Sequence, residues 1–158
     1  MKFYGLLFMI IIVVLLVGCT KRIETTDVTP QNGFDLHVDA KHYVKAERVA
    51  VHHWCKTIDE KLIECLLFDS DNKNANLVGI ETIVTNNIWA TFTEEQQIEW
   101  HDHATEIVEA EAVLPDTPEE EAVKIVDFLK GTHGRVIYIW NFPEDEWPIT
   151  KPFLDSER

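Results

Sequence analysis

Four of the seven histidines lie in two close pairs, His52-His53 and His101-x-His103, and Glu106 follows the second pair. Neutral imidazole is the commonest metal ligand in proteins, and a carboxylate often completes such a site. Adjacent residues of a strand point to opposite faces, so His52 and His53 cannot both reach one buried ion without distortion. We therefore expect one divalent metal ion, Zn²⁺ first, bound by His53, His101, His103 and Glu106, with His52 and Glu81 as further candidate ligands.

The local conformation of the His-x-His segment decides how many of its rings can bind. On a strand, His101 and His103 share one face, whereas on a helix they lie about 200° apart. A helix would pair His103 with Glu106 and exclude His101. In the alternative interpretation, these histidines are hydrogen-bonded sheet and cap residues without a metal. With three protein ligands and an open position, a bound ion could support hydrolysis, but the sequence identifies no catalytic residue.

Two cysteines lie on the arms of a predicted hairpin, in which Glu60 is the centre of the turn. Cys55 and Cys65 then face each other directly, and opposed positions of an antiparallel pair can form a disulfide. Two buried free thiols, or a thiol ligand beside His53, are the alternatives.

The N-terminus has the layout of a secretory signal. Lys2 precedes an apolar run from Phe3 to Gly18, and Cys19 follows it. The run is shorter than the roughly 20 residues of an ordinary membrane-spanning helix. Its end resembles a bacterial lipobox, which implies a lipoprotein signal peptide over residues 1–18 and a lipid (palmitate) on Cys19. Residues 19–33 are then a lipidated flexible tether, and the domain is held in the cell envelope. Thr20 favours the outer membrane if the host is Gram-negative.

Composition restricts the class of partner. The chain has 158 residues and a formal net charge of −14 at pH 7. That charge argues against nucleic acid as a partner, because nucleic-acid affinity depends mainly on Lys and Arg. The sequence contains no Gly-rich phosphate loop, GxSxG elbow, HExxH motif or CxxC pair.

The hydrophobic pattern predicts a single α+β domain, with a mostly antiparallel sheet and two short helices. The domain covers residues 34–147, and residues 148–158 form an irregular tail. The predicted strands are Arg48–Lys56, Leu62–Asp69, Leu77–Thr85, a strand beginning near Thr105, and Arg135–Phe142. The helices begin at Glu94, after a capping box, and at Pro118.

Four stretches of the chain together resemble one family. They are His52–Cys55, Cys65–Asp71, Ala75–Glu81, and Glu94-Glu95 leading to Trp100–His103. These stretches are similar to the DUF1264 family, whose plant members are called oil-body-associated proteins. The resemblance is close from His52 to Glu106 and weaker beyond, where His133 stands in place of a family tyrosine.

The resemblance implies an association with lipid and supplies no catalytic residues. It also bears on the cysteines, because the plant members live where thiols stay reduced and yet resemble this chain at Cys55 and Cys65. We therefore expect a lipid-anchored envelope protein that acts as a non-enzymatic binding or interaction module, with a protein or lipid partner. The alternative is a metal-dependent, zinc-type enzyme that uses the His/Glu site.

The lipid anchor can be tested by removing the sulfur of Cys19. We expect Cys19→Ala to move the protein from the membrane fraction to the supernatant, because the variant has no thiol to acylate. The measurement is cell fractionation together with labelling by radioactive palmitate. A variant that stays with the membrane, or a wild-type chain that takes up no label, would contradict lipidation at Cys19.

Overall fold

Alternating apolar and polar residues produce one antiparallel sheet with a covered face. In the computed structural model, which describes residues 32–155, the strands are β1 (Leu36–Val44), β2 (Glu47–Asp59), β3 (Leu62–Phe68), β4 (Leu77–Thr85), β5 (His101–Asp102), β6 (Thr132–Tyr138) and β7 (Phe153–Leu154). Their order in the sheet is β1-β2-β3-β4-β6-β5, and β7 pairs with β6. The predicted mostly antiparallel sheet is confirmed.

The prediction of two short helices is wrong in number. Within residues 32–155 there are four: α1 (Asn86–Trp89), α2 (Glu94–Gln97), α3 (His103–Glu109) and α4 (Glu119–Leu129). The capping box at Thr93 is present, but it starts a helix of only four residues. The mostly-sheet description therefore fits the molecule better than an even α+β mixture does.

Helix α3 replaces the strand that was predicted from Thr105. The Asp102 side chain accepts a hydrogen bond from the backbone N–H of Ala104, which caps a helix at His103. The helix ends before Glu111, which has a positive φ of 52°. Local capping thus overrides the alternating apolar pattern that suggested a strand.

Strands β1 and β7 are additions to the predicted elements. β1 pairs with β2 along its whole length, and Val113 forms an isolated bridge to Asp39 at its other edge. In the tail that was predicted to be irregular, Phe153 pairs with Tyr138. Neither strand has a long apolar run of its own, so pairing with a neighbour determines both.

The sheet has one face that is covered by α3 and α4. On β2 and β3 this face carries Val51, Cys55 and Leu67, all of them buried. Ile107 of α3 and Ile125 of α4 pack against the same core. The opposite face of β1 and β2 carries His37, Asp39, His52 and Trp54, which are paired across the two strands. The two faces therefore bring different histidines together.

Residues 1–31 and 156–158 lie outside the described part of the chain, and so do the signal peptide, Cys19 and most of the tether. Within residues 32–155, no helix is both long enough and apolar enough to cross a membrane.

A disulfide joins Cys55 to Cys65 across the β2–β3 hairpin, where the two residues are paired. We expect Cys55→Ala combined with Cys65→Ala to lower the free energy of unfolding by about 3 kcal/mol, because the open loop regains entropy in the unfolded chain. Urea unfolding measures this loss. Reductant should destabilise the wild type by a similar amount and leave the double variant unchanged. Equal stability of oxidised wild type and variant would contradict the prediction.

Candidate metal centre

The position of β6 brings three separated parts of the chain together. β4 carries Glu81, β5 carries His101, and α3 begins at His103. β6 pairs with β4 on one side and with β5 on the other, and Gly134 is opposite His101. Because α3 turns away directly after β5, the rings of His101 and His103 both reach the space beside Gly134.

Three side-chain atoms converge there. Oε1 of Glu81 lies 3.1 Å from Nε2 of His103 and 3.3 Å from Nε2 of His101. The two Nε2 atoms are 3.2 Å apart. Neighbouring ligands of a tetrahedral zinc ion are about 3.3 Å apart, because each lies about 2.0–2.1 Å from the ion. The three side chains therefore already have the spacing of zinc ligands.

The backbone of Gly134 covers one face of the triangle that these three atoms form. A Cβ at this position would lie 2.2 Å from Oε1 of Glu81, 2.4 Å from Nε2 of His101 and 2.5 Å from Nε2 of His103. Such a point, nearly equidistant from all three atoms, lies on the axis of the triangle, on the side of the β6 backbone. Any larger residue would push the three side chains apart. An ion and a fourth ligand would lie on the side away from Gly134.

The hydrogen bonds of Thr132 set the tautomer of His103. The Thr132 hydroxyl donates its only hydrogen to the carbonyl oxygen of Leu129, at 2.6 Å. It must therefore accept from Nδ1 of His103, which is 2.7 Å away. A neutral His103 then carries its hydrogen on Nδ1 and directs the lone pair of Nε2 at Glu81. Metal-binding histidines commonly have such a partner on the nitrogen that does not bind.

His53 directs a further nitrogen lone pair at the carboxylate of Glu81. Its Nδ1 donates to the carbonyl oxygen of Val38 at 3.1 Å, and its Nε2 lies 3.7 Å from Oε2 of Glu81. Burial, together with nearby His42, lowers the pKa of His53 to about 4, so the ring is neutral at pH 7. A neutral ring with this tautomer directs a lone pair at a carboxylate, an unfavourable contact unless a proton, a water molecule or a cation lies between them.

His101 lies between two carboxylates. Its Nε2 is 2.5 Å from Oε2 of Glu106 and 3.3 Å from Oε1 of Glu81. Burial acts to lower the pKa of His101, but contacts with Glu106 and Glu81 outweigh it and raise that pKa to about 10. Without a metal ion, Nε2 of His101 therefore holds a proton that faces Glu106 and Glu81, in the space where the ion would bind.

Glu81 is charged although only 5% of it is exposed. Burial acts to raise its pKa, but contacts with His101 and His103 hold the pKa of this carboxyl well below its usual value. A neighbouring group consists of His42, Glu106 and Asp155, whose candidate ligand atoms lie within 4.8 Å of one another. Glu106 connects the two groups, so the centre lies in a larger polar region.

Two openings reach this region. A cavity of about 50 Å³, lined mainly by apolar residues such as Val38, Ile83 and Ile107, touches Glu81 and His103. A wider surface cleft of about 370 Å³ is lined by Arg48, Trp100, His101 and Glu106, among others. The first has room for a water molecule or a small ligand. The second is within the usual size of a small-molecule site.

Five of the six candidate ligands lie together, and one does not. The structure brings together His53, Glu81, His101, His103 and Glu106. His52 lies on the other face of the sheet, as the alternation of strand residues predicts. The helix that would have excluded His101 does not include it, because α3 starts only at His103 and His101 lies in β5. Glu106 contacts His101. Gly134 and Thr132 have no signal in the sequence, since both act through contacts distant in the chain.

The raised pKa of His101 predicts a loss of stability in alkali for the chelator-treated chain. An ordinary histidine loses its proton near pH 6.5, whereas folded His101 keeps it to about pH 10. Between these values the folded state binds more protons, so the free energy of unfolding falls as pH rises. Urea unfolding at pH 7 and pH 9 should show a smaller fall for His101→Gln than for wild type. His133→Gln is the control, and equal falls in all three chains would refute the assignment.

Comparison with known proteins identifies the family. The profile described as "Protein of unknown function (DUF1264)" matches residues 28–157. Oil body-associated protein 1B of Arabidopsis thaliana is 31% identical over 127 residues, which cover 78% of this chain and 53% of that protein. Oil body-associated protein 1A of Zea mays is 26% identical over 127 residues, with the same coverage of 78% and 53%. Oil body-associated protein 2C of Arabidopsis thaliana is 27% identical over 107 residues, 67% of this chain and 45% of that protein.

The chain spans about half the length of these relatives. No solved structure matches it significantly. The family resemblance expected from His52 to Glu106 is confirmed and extends over most of the sequence. This chain belongs to the DUF1264 family, together with the oil body-associated proteins of plants.

Proposed function

We propose that Glu81, His101 and His103 bind a divalent transition-metal ion at this centre, with Zn²⁺ as the first candidate. The observation that carries the proposal is the triangle of ligand atoms, with sides of 3.1, 3.2 and 3.3 Å. Two imidazoles and a carboxylate suit Zn²⁺ and also Fe²⁺. His53 directs a further nitrogen toward Glu81 and is a candidate fourth ligand.

The arrangement favours a metal-dependent enzyme over a purely structural ion. Structural zinc sites have four protein ligands, whereas catalytic ones keep a position open. Here three ligands lie in the triangle, and His53 is farther from Glu81, at 3.7 Å. An ion bound in this way would supply Lewis acidity for hydrolysis. Glu106, beside His101 and open to the cleft, is placed to accept a proton from a reacting group.

A lipid-anchored binding module is the second candidate function. The relatives are named for an association with oil bodies. The lipobox-like sequence before Cys19 favours attachment of this chain to a membrane of the cell envelope. The two observations support a role at a lipid surface, and the metal centre is compatible with it.

Gly134 provides a sharp test of metal binding. We expect Gly134→Ala to lower zinc affinity at this centre by at least tenfold, because the new methyl group lies within 2.5 Å of three ligand atoms. The matched control is Gly131→Ala, whose Cβ meets only the Phe128 carbonyl oxygen, at 3.3 Å. Zinc affinity would be measured by competition with a chelating dye, with circular dichroism as the check on folding.

The open coordination position of the proposed ion can be tested separately, with an added anion. We expect azide to shift the visible absorption of the Co²⁺-loaded wild-type chain, because an exogenous anion can enter an unoccupied coordination position. Unchanged absorption in a loaded chain would refute the enzyme and leave a structural ion. Folded Gly134→Ala with wild-type zinc affinity, or a wild-type chain that binds no Zn²⁺, Fe²⁺ or Cu²⁺ at Glu81, His101 and His103, would refute the metal centre itself.

A further inference from the structure

A second cluster of metal-ligating side chains lies on the opposite face of the sheet. We infer that His37, Asp39, His52 and Asp71 form a separate divalent-cation site, with Zn²⁺ as its first ligand. Their candidate ligand atoms lie within 4.8 Å of one another. The inference does not rest on the first centre, because the two sites share no residue.

Register and one loop assemble this cluster. β1 and β2 place Asp39 opposite His52, with His37 two residues from Asp39 on the same face. Asp71 comes from the loop between β3 and β4. Asp69 holds that loop closed by accepting hydrogen bonds from the backbone N–H and side-chain amide of Asn76. The site therefore combines residues of two paired strands with one residue of a hydrogen-bonded loop.

The ligand atoms converge on one small space. Nε2 of His37 lies 3.0 Å from Oδ1 of Asp39 and 2.9 Å from Oδ1 of Asp71. Nδ1 of His52 lies 2.6 Å from the same oxygen of Asp39 and 2.9 Å from Oδ2 of Asp71. Two nitrogens thus face the same pair of carboxylates. An expansion of a few tenths of an ångström would bring them to the spacing of about 3.3 Å found in tetrahedral zinc sites.

Counting hydrogens favours one cation at the centre. Without it, each ring must direct an N–H group into the same space, because each ring nitrogen there faces only carboxylate oxygens. With one divalent ion, each ring can direct a lone pair there instead. The two rings then bind as neutral ligands, and each aspartate supplies an oxygen.

Asp116 orients His37 in the manner of a metal ligand. Its Oδ2 lies 2.7 Å from Nδ1 of His37, the nitrogen directed away from the cluster. A carboxylate that accepts the other ring hydrogen fixes the tautomer and strengthens a bound imidazole. Trp54 stacks on the His37 ring, with centroids 4.4 Å apart and planes 7° from parallel. His37 is consequently held in place before any ion arrives.

Access and donor chemistry define the class of ligand. Asp71 is 43% exposed, so an ion can enter from solvent beside it. Two nitrogen and two oxygen donors suit Zn²⁺, Co²⁺, Ni²⁺ or Cu²⁺ better than Ca²⁺ or Mg²⁺, which prefer oxygen. Four protein ligands would give a closed site, which is typical of an ion that stabilises structure. Such an ion would join β1, β2 and the β3–β4 loop.

The experiment counts zinc ions on the full chain in mild detergent, by elemental analysis after dialysis against buffered Zn²⁺. We expect two ions on wild type, one on Asp71→Asn, one on His103→Ala and none on the double variant. Asp71→Asn is conservative and lies in a loop, so its fold should persist, and circular dichroism checks this. His52→Gln should also bind one ion. His133→Gln, a histidine outside both clusters, is the matched control and should bind two.

The outcomes separate the two proposals. A folded His103→Ala chain that binds no zinc would overturn the second site and leave the first intact. Zinc binding unchanged by both Asp71→Asn and His52→Gln would overturn it as well. Asp71→Asn without zinc, beside His103→Ala with one ion, would refute the first centre while supporting the second.

Discussion

The fold is constrained most by the burial of one carboxylate. Glu81 lies in the middle of β4 on the covered face of the sheet, and only 5% of it is exposed. A buried carboxylate needs compensating partners, and breaking a buried pair costs about 3–5 kcal/mol. The partners are His101 and His103, and they reach Glu81 because β5 pairs with β6 and α3 begins at once after it. Gly134 leaves the space in which they meet. The strand order, the start of α3 and Gly134 together allow His101 and His103 to contact the buried carboxylate of Glu81.

Successive residues of a strand point to opposite faces of the sheet, and this alternation divides the histidines between the two clusters. His52 and His53 are neighbours in β2 and point to opposite faces, one to Asp39 and the other to Glu81. A register slip of one residue would exchange them and would place Trp54 in the core. The disulfide between Cys55 and Cys65 lies two residues beyond His53 and opposes that slip, because it fixes β2 against β3. Covalent and hydrophobic constraints therefore hold the register on which both clusters depend.

Sequence patterns identified the elements whose signals are local. The β2–β3 hairpin and β4 have strong β-branched runs around a polar turn, and the pairing of Cys55 with Cys65 follows from that turn. The alternating apolar pattern of α3 predicts a strand, and only the Asp102 cap makes the segment a helix. The spacing of the histidines predicts most of the first cluster. It does not predict Gly134, Thr132 or the second cluster, because their contacts join residues that are far apart in the chain, such as His37 and Asp116.

Stability alone does not account for the first cluster. Apolar residues of similar volume in place of a buried ion pair are often neutral or stabilising, by about 1–4 kcal/mol. A sheet whose only need was a core would be served by such residues at Glu81 and His103, which adjoin Ile83, Ile107 and Leu129. Instead, this face combines the buried carboxylate of Glu81 and the half-buried carboxylate of Glu106 with His42, His53, His101 and His103. His53 and His103 direct lone pairs toward Glu81, and the group lies beside a cleft. An arrangement that costs stability and would gain cohesion from a cation fits the metal centre that we propose.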